Sequence, residues 1–138
     1  MTPLDVFCET YSALIDHGWV KFRERTVNGC MCVTGAIKFV LGFCPGTVTT
    51  QTPFDQLPKT RLVFTTEDPK KAVALNRILE ALAAADIPGD ILDVIDDDMF
   101  EPTGINDSPR VTGRMILDWL ELAIIDQARA PQPATIPT

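Results

Sequence analysis

The sequence predicts a mainly α fold: a compact bundle of about four to five helices with a small two-stranded β-ribbon. Three observations predict it. Apolar residues recur at three- and four-residue spacing in several separate stretches, which lays one apolar stripe along a helix. Helix starts stand at Thr2-Pro3, at Thr66-Glu67-Asp68-Pro69 and at Thr112, each with a capping side chain placed before an apolar repeat. An Asn28-Gly29 pair lies between two β-compatible runs, and both of its residues tolerate the positive φ of a tight hairpin. At 138 residues the chain is sized for one domain, expected over residues 1–130. Residues 131–138 carry three prolines, cannot continue a helix, and read as a flexible tail.

Residues 3–16 form the first expected helix, with Thr2 as N-cap, Asp5 near the positive end of the dipole, and Gly18 as its stop. Its inward stripe is Leu4, Phe7, Tyr11, Leu14 and Ile15. The ribbon follows, with arms near 19–27 and 30–33. A second helix is expected from Val33 to Leu41, ended by Gly42. Gly35 inside it costs about 1 kcal/mol relative to alanine, which a close backbone approach, here by the first helix, would explain. Residues 43–66 hold Pro45, Gly46, Pro53, Pro58 and seven threonines. They read as a long mobile connection with a short strand at Arg61–Phe64 and a single turn at Phe54–Leu57. Thr66-Glu67-Asp68-Pro69 opens a helix, with a cap, early acids and a proline in its first turn, running to about Ala85 with Ala72, Leu75, Ile78, Leu79 and Leu82 inward. Asp90 is expected to cap a short helix carrying Ile91, Leu92, Ile95 and Met99. Residues 101–109 read as turn and loop, and Thr112 caps a last helix that buries Ile116, Trp119, Leu120, Ala123 and Ile124.

A net charge of −7 argues against a protein that binds nucleic acid directly, since phosphate tracking requires clustered cations. The amino terminus has neither a basic region nor an apolar signal core, and the longest apolar-leaning stretch, 31–44, is too short to span a bilayer. The expected location is the cytoplasm, with no membrane partner. Cys8, Cys30, Cys32 and Cys44 contain no C-x-x-C pair, and His17 is the single histidine. Reduced thiols packed as small hydrophobes are therefore expected in place of a metal site. No phosphate-binding loop, dinucleotide fingerprint, zinc-protease motif or nucleophile elbow occurs, and no cofactor is expected.

Two constellations remain. Residues 86–107 contain Asp86, Asp90, Asp93, Asp96, Asp97, Asp98, Glu101 and Asp107 with no lysine or arginine. Such a run reads as a solvated face, as a docking surface for a basic partner, or as a divalent-metal site, although it lacks the calcium-loop spacing. The docking reading takes Asp93, Asp96, Asp97, Asp98, Glu101, Asn106 and Asp107 as binding residues. The other constellation is a thiol one. Cys32 stands at the start of the second helix, where the dipole lowers a thiol's pKa, and His17 with Asn106 or Asp107 would complete a nucleophile–base–orienter set. The competing account of Asn106-Asp107 is an Asx turn that bonds neighbouring backbone N–H groups.

Gly18-Trp19, the Asn28-Gly29 turn, and Cys32-Val33-Thr34-Gly35-Ala36-Ile37 followed by Asn106-Asp107 resemble a small family of actinobacterial and actinophage proteins. Its members combine a G-W ribbon, a C-x-x-G-A-[IL] helix and a later W-N-D segment. The similarity spans roughly residues 4–125, and Ile105 stands where the family has tryptophan. The resemblance implies a fold and an actinobacteriophage setting, and it carries no activity. It also implies one packing unit, in which Asn106-Asp107 satisfies N–H groups at the start of the Cys32 helix around Gly35. Three functions are expected from these features. The first is an acidic interaction protein that docks on a host or cellular protein with a basic surface. The second is a thiol-dependent enzyme using Cys32, His17 and Asn106/Asp107. The third is an accessory domain that forms homo-oligomers through the threonine-rich segment.

Overall fold

The computed structural model describes residues 1–52, 55–95 and 101–130. Among them are six helices and one two-stranded antiparallel sheet, so the fold is mainly α with a small β-ribbon. The helices are α1 (Pro3–His17), α2 (Val33–Val40), α3 (Pro69–Ala84), α4 (Gly89–Leu92), α5 (Pro102–Asp107) and α6 (Gly113–Arg129). The strands are β1 (Cys44–Thr52) and β2 (Asp55–Thr65).

Local chemistry sets the helix ends. Thr2 Oγ1 accepts from Asp5 N at 3.2 Å while Asp5 Oδ2 accepts from Thr2 N at 3.0 Å, a reciprocal capping box. These bonds hold the exposed Asp5 carboxyl below the usual carboxylate range. Asp68 caps α3 by accepting from Lys70 N, and Thr112 caps α6 by accepting from Met115 N. α4 starts without a side-chain cap: Pro88 holds the cap position and Asp90 lies inside the helix. Met99 and the tail 131–138 lie outside the described residues.

One hydrophobic cluster draws residues from every helix and from β2. α1 packs chiefly on α6 and α2, which centres its buried face on Val6, Phe7, Thr10, Ala13 and Leu14. Ile15, expected inside, is 57% exposed, because the face that two neighbours share is rotated by about one residue from the apolar stripe. Ala72 is likewise exposed, and α3 buries Ala74, Ile78 and Leu82. Trp119, Leu120 and Ile116 on α6 are fully buried.

The ribbon is not at Asn28-Gly29. It lies in the threonine-rich segment expected to be a mobile connection, paired in one register from Cys44↔Thr65 to Thr50↔Lys59, with a shift before the last pair, Thr52↔Asp55. Threonine favours a pleated strand, and Phe64 anchors the base of the hairpin in the apolar cluster. Residues 19–31 instead form a compact strap in which Trp19 and Met31 make an isolated parallel bridge. Cys32 N reaches Arg23 O at 3.2 Å, and Phe22 adopts a left-handed φ of +63°. Together these coil the chain out of the extended geometry that a hairpin arm requires. Residues 102–107, expected as loop, are the short helix α5.

Candidate functional site

The strap begins where Gly18 ends α1 with a φ of +94°, a conformation that disfavours any side chain. Gly18 O then accepts from Met31 N, and Met31 O accepts from Val20 N. This closes the strap over the start of α2 and brings Trp19 above α5.

At that junction lies Asn106, the penultimate residue of α5, with no exposed surface. Its Oδ1 accepts from Trp19 Nε1 at 2.6 Å and from Val33 N at 3.0 Å. Its Nδ2 donates to Val20 O at 3.2 Å and to Asp107 Oδ1 at 3.0 Å. Val33 is the first residue of α2, so its N–H has no partner within the helix. One amide thus ties together the strap, α2 and α5. Asp107 Oδ1 also accepts from Phe22 N at 2.7 Å, which fixes Phe22 in its left-handed conformation. Lys21 Nζ donates to the carbonyls of Ser108 and Pro109, pinning the strap to the chain beyond α5.

Gly35 and Glu24 form the other half of the contact. A β-carbon on Gly35 would overlap the Glu24 carbonyl oxygen and stand 2.7 Å from its carbon. The backbone that approaches α2 is therefore the strap's, not that of α1. The Glu24 side chain runs the opposite way. Its carboxylate pairs with Lys38 at 3.0 Å and accepts from Phe64 N at 2.9 Å, which joins strap, α2 and β2.

Between the strap and β2 opens a cleft of about 740 Å³. Phe22 to Val27 line one wall and Lys59 to Val63 the other, and Cys32, Thr34, Thr103 and Asp107 form its floor and end. Four cations (Arg23, Arg25, Lys59 and Arg61) face two carboxylates. Glu24 is neutralised by Lys38, and Asp107 is engaged by Phe22 and Asn106. A positive cleft thus sits in a chain of net charge −7.

The thiol constellation does not assemble here. Cys32 is 4% exposed, and its sulfur caps α2 by accepting from Gly35 N at 3.3 Å. Burial pushes its pKa up to about 11, against the bond from Gly35, and the charges of Asp107 and Glu24 push the same way. The expected depression by the helix dipole is therefore reversed, because desolvating the thiolate outweighs the dipole. His17 is exposed, stacks edge-on with Phe39 at 5.4 Å between centroids, and lines a separate shallow depression with Asp16 and Val40. Among the described residues no hydrogen bond links His17 to Cys32. Of the remaining thiols Cys8 and Cys44 are exposed, contrary to the expectation of packed hydrophobes, and Cys30 is half-buried. No His/Cys/Asp/Glu group suited to a metal ion occurs among the described residues.

The acidic constellation is divided by the fold. Asp86, Asp90, Asp93 and Glu101 are exposed. Asn106 is buried and Asp107 is half-buried at the end of the cleft, so neither belongs to that surface. Asp96, Asp97 and Asp98 lie outside the described residues. Asn106 makes long-range bonds in place of a local Asx turn, because α5 carries it into the gap between the strap and α2. Sequence reasoning missed Glu24 and the cleft cations. The signal available was the alternation Lys21-Phe22-Arg23-Glu24-Arg25, matched by Lys59-Thr60-Arg61.

Comparison of the chain with protein-family models, curated proteins and solved structures found no match. Gly18-Trp19, the start of the Cys32 helix and Asn106-Asp107 meet physically in this structure, through the bonds of Asn106 to Trp19 and Val33. No helix among the described residues is long and apolar enough to cross a membrane.

Proposed function

We propose that the protein is an interaction protein that works by docking its acidic face on a basic surface of a host or cellular protein. In this reading the protein is encoded by an actinophage and acts in the host cytoplasm. The observation that carries it is the exposure of Asp86, Asp90, Asp93 and Glu101 along α4 and its flanks, in a stretch with no lysine or arginine between residues 86 and 107. Unpaired charges of one sign speed encounter with a complementary partner and select against like-charged ones. Meanwhile, the polar groups nearest to a catalytic arrangement are occupied in holding α2, α5 and the strap together. The test is capture from host lysate on immobilised protein at rising salt. A bound protein should be released as ionic strength climbs to about 1 M, where screening reaches about 3 Å. It should also be lost when Asp93, Asp96, Asp97 and Asp98 become asparagine and Glu101 becomes glutamine. Retention that ignores both changes would sink the proposal.

A further inference from the structure

The cleft between the strap and β2 has an open strand edge along one wall. In an antiparallel ladder the N–H and C=O of alternate residues point to the same side. Phe64 turns its pair away from β1, since its N–H donates to Glu24 Oε1 and its carbonyl accepts from Lys38 Nζ at 3.5 Å. The Glu24–Lys38 pair thus takes the place of a neighbouring strand at the base of the hairpin. By the same alternation, Leu62 and Thr60 direct their N–H and C=O groups outward, opposite Thr47 and Thr49 of β1. Both residues line the cleft, and among the described residues those backbone groups have no partner.

We propose that this cleft binds an extended, acidic polypeptide segment of a partner by strand addition to the outer edge of β2. Main-chain bonds to Thr60 and Leu62 supply the pairing, the mode by which exposed sheet edges capture peptides. The charge of the walls sets the chemistry of the guest. Arg23, Arg25 and Arg61 form no ion pair among the described residues. They line the cleft beside the edge, Arg25 over the Phe64 ring, and a guanidinium pairs with a carboxylate through two parallel N–H groups. Phe22, 65% exposed and held in its left-handed conformation by Asp107, offers an apolar contact at the mouth. The volume lies within the range of built ligand sites. A polynucleotide fits less well, because the alternating donors and acceptors of the strand edge match a peptide backbone whereas phosphates only accept. This surface is distinct from the acidic face and opposite in sign, so either proposal can fail without the other.

The experiment is fluorescence anisotropy with a labelled hexapeptide of alternating aspartate and valine at low salt, together with amide exchange of the full chain. Binding is expected to weaken about tenfold or more in the R23Q/R61Q double variant and severalfold in Phe22→Ala, with the helical circular-dichroism spectrum unchanged. A peptide N-methylated at alternate amides should lose binding to the unaltered protein, a control that leaves the fold intact. The Thr60 and Leu62 amides should become protected only when the unmethylated peptide is bound. The proposal is overturned if no peptide binds, if the methylated peptide binds equally, or if a lysine–valine hexapeptide does. It is also overturned if an oligothymidylate binds with the same arginine dependence, or if the chain dimerises through the cleft and excludes the peptide.

Discussion

Removing the Asn106 amide would strand Trp19 Nε1 and the Val33 N–H in a buried site and leave Val20 O without its donor. Each orphaned buried group costs about 1–3 kcal/mol. Asn106→Ala is therefore expected to destabilise the chain by about 3–5 kcal/mol in urea unfolding, above the range of most single substitutions. Gly35→Ala should be nearly as severe at about 3 kcal/mol, since the obstacle is the Glu24 backbone and not a side chain that could swing away. Gly89→Ala meets nothing within 4 Å and should stay within about 0.5 kcal/mol, a matched control. Cys32 gives a pH prediction. Its thiol is neutral in both states below pH 9; above that the unfolded chain loses the proton first, because the folded value is about 11. The unfolded state then binds fewer protons, so stability falls between pH 9 and 11, by about 2–3 kcal/mol from this group. Urea unfolding of the native chain and of Cys32→Ser at pH 8 and pH 10.5 isolates it: the serine variant should lack that share of the alkaline loss.

The strap, the hairpin and α2 are coupled through Glu24. Glu24→Ala would free the Phe64 N–H at the base of β2 and leave Lys38, whose side chain is 18% exposed, without its counter-charge. The expected cost is about 1–2 kcal/mol, given that both partners are partly solvated. Its signature is local: the Phe64 amide should exchange faster, whereas amides in the middle of α3 should slow or speed only with global stability. Uniform acceleration would mean that the hairpin is not held separately. The mislocated ribbon has the same origin. Asn28-Gly29 carries a hairpin dipeptide, yet Asp107 and Arg23 O draw the flanking backbone into other bonds. The threonine-rich stretch lacks apolar alternation and still pairs, because its strands bond mainly to each other.

Taken whole, the molecule separates its charges. An acidic face lies around α4 and a cationic cleft lies between the strap and β2, in a chain that is −7 overall. Raising salt should therefore weaken binding at both surfaces while leaving unfolding midpoints little changed, since the helices are held by one apolar cluster and not by surface pairs. A large salt dependence of the midpoint itself would contradict this division.

Helix positions were legible because caps and apolar spacing act within one or two turns: Thr2 and Thr112 cap where their neighbours require it, and α3 starts within the 66–69 stretch that signals it, with Asp68 as its cap. The link between Asn106-Asp107, Gly35 and the start of α2 was legible through the motif resemblance alone. The cleft and the burial of Asn106 were not, nor were the burial of the Cys32 thiol and the open edge at Thr60 and Leu62. Each of these depends on which distant backbone comes to lie against which side chain. A residue's neighbours set its capping and periodicity, but its desolvation and its long-range bonds are set only once the strap closes over α2 and α5.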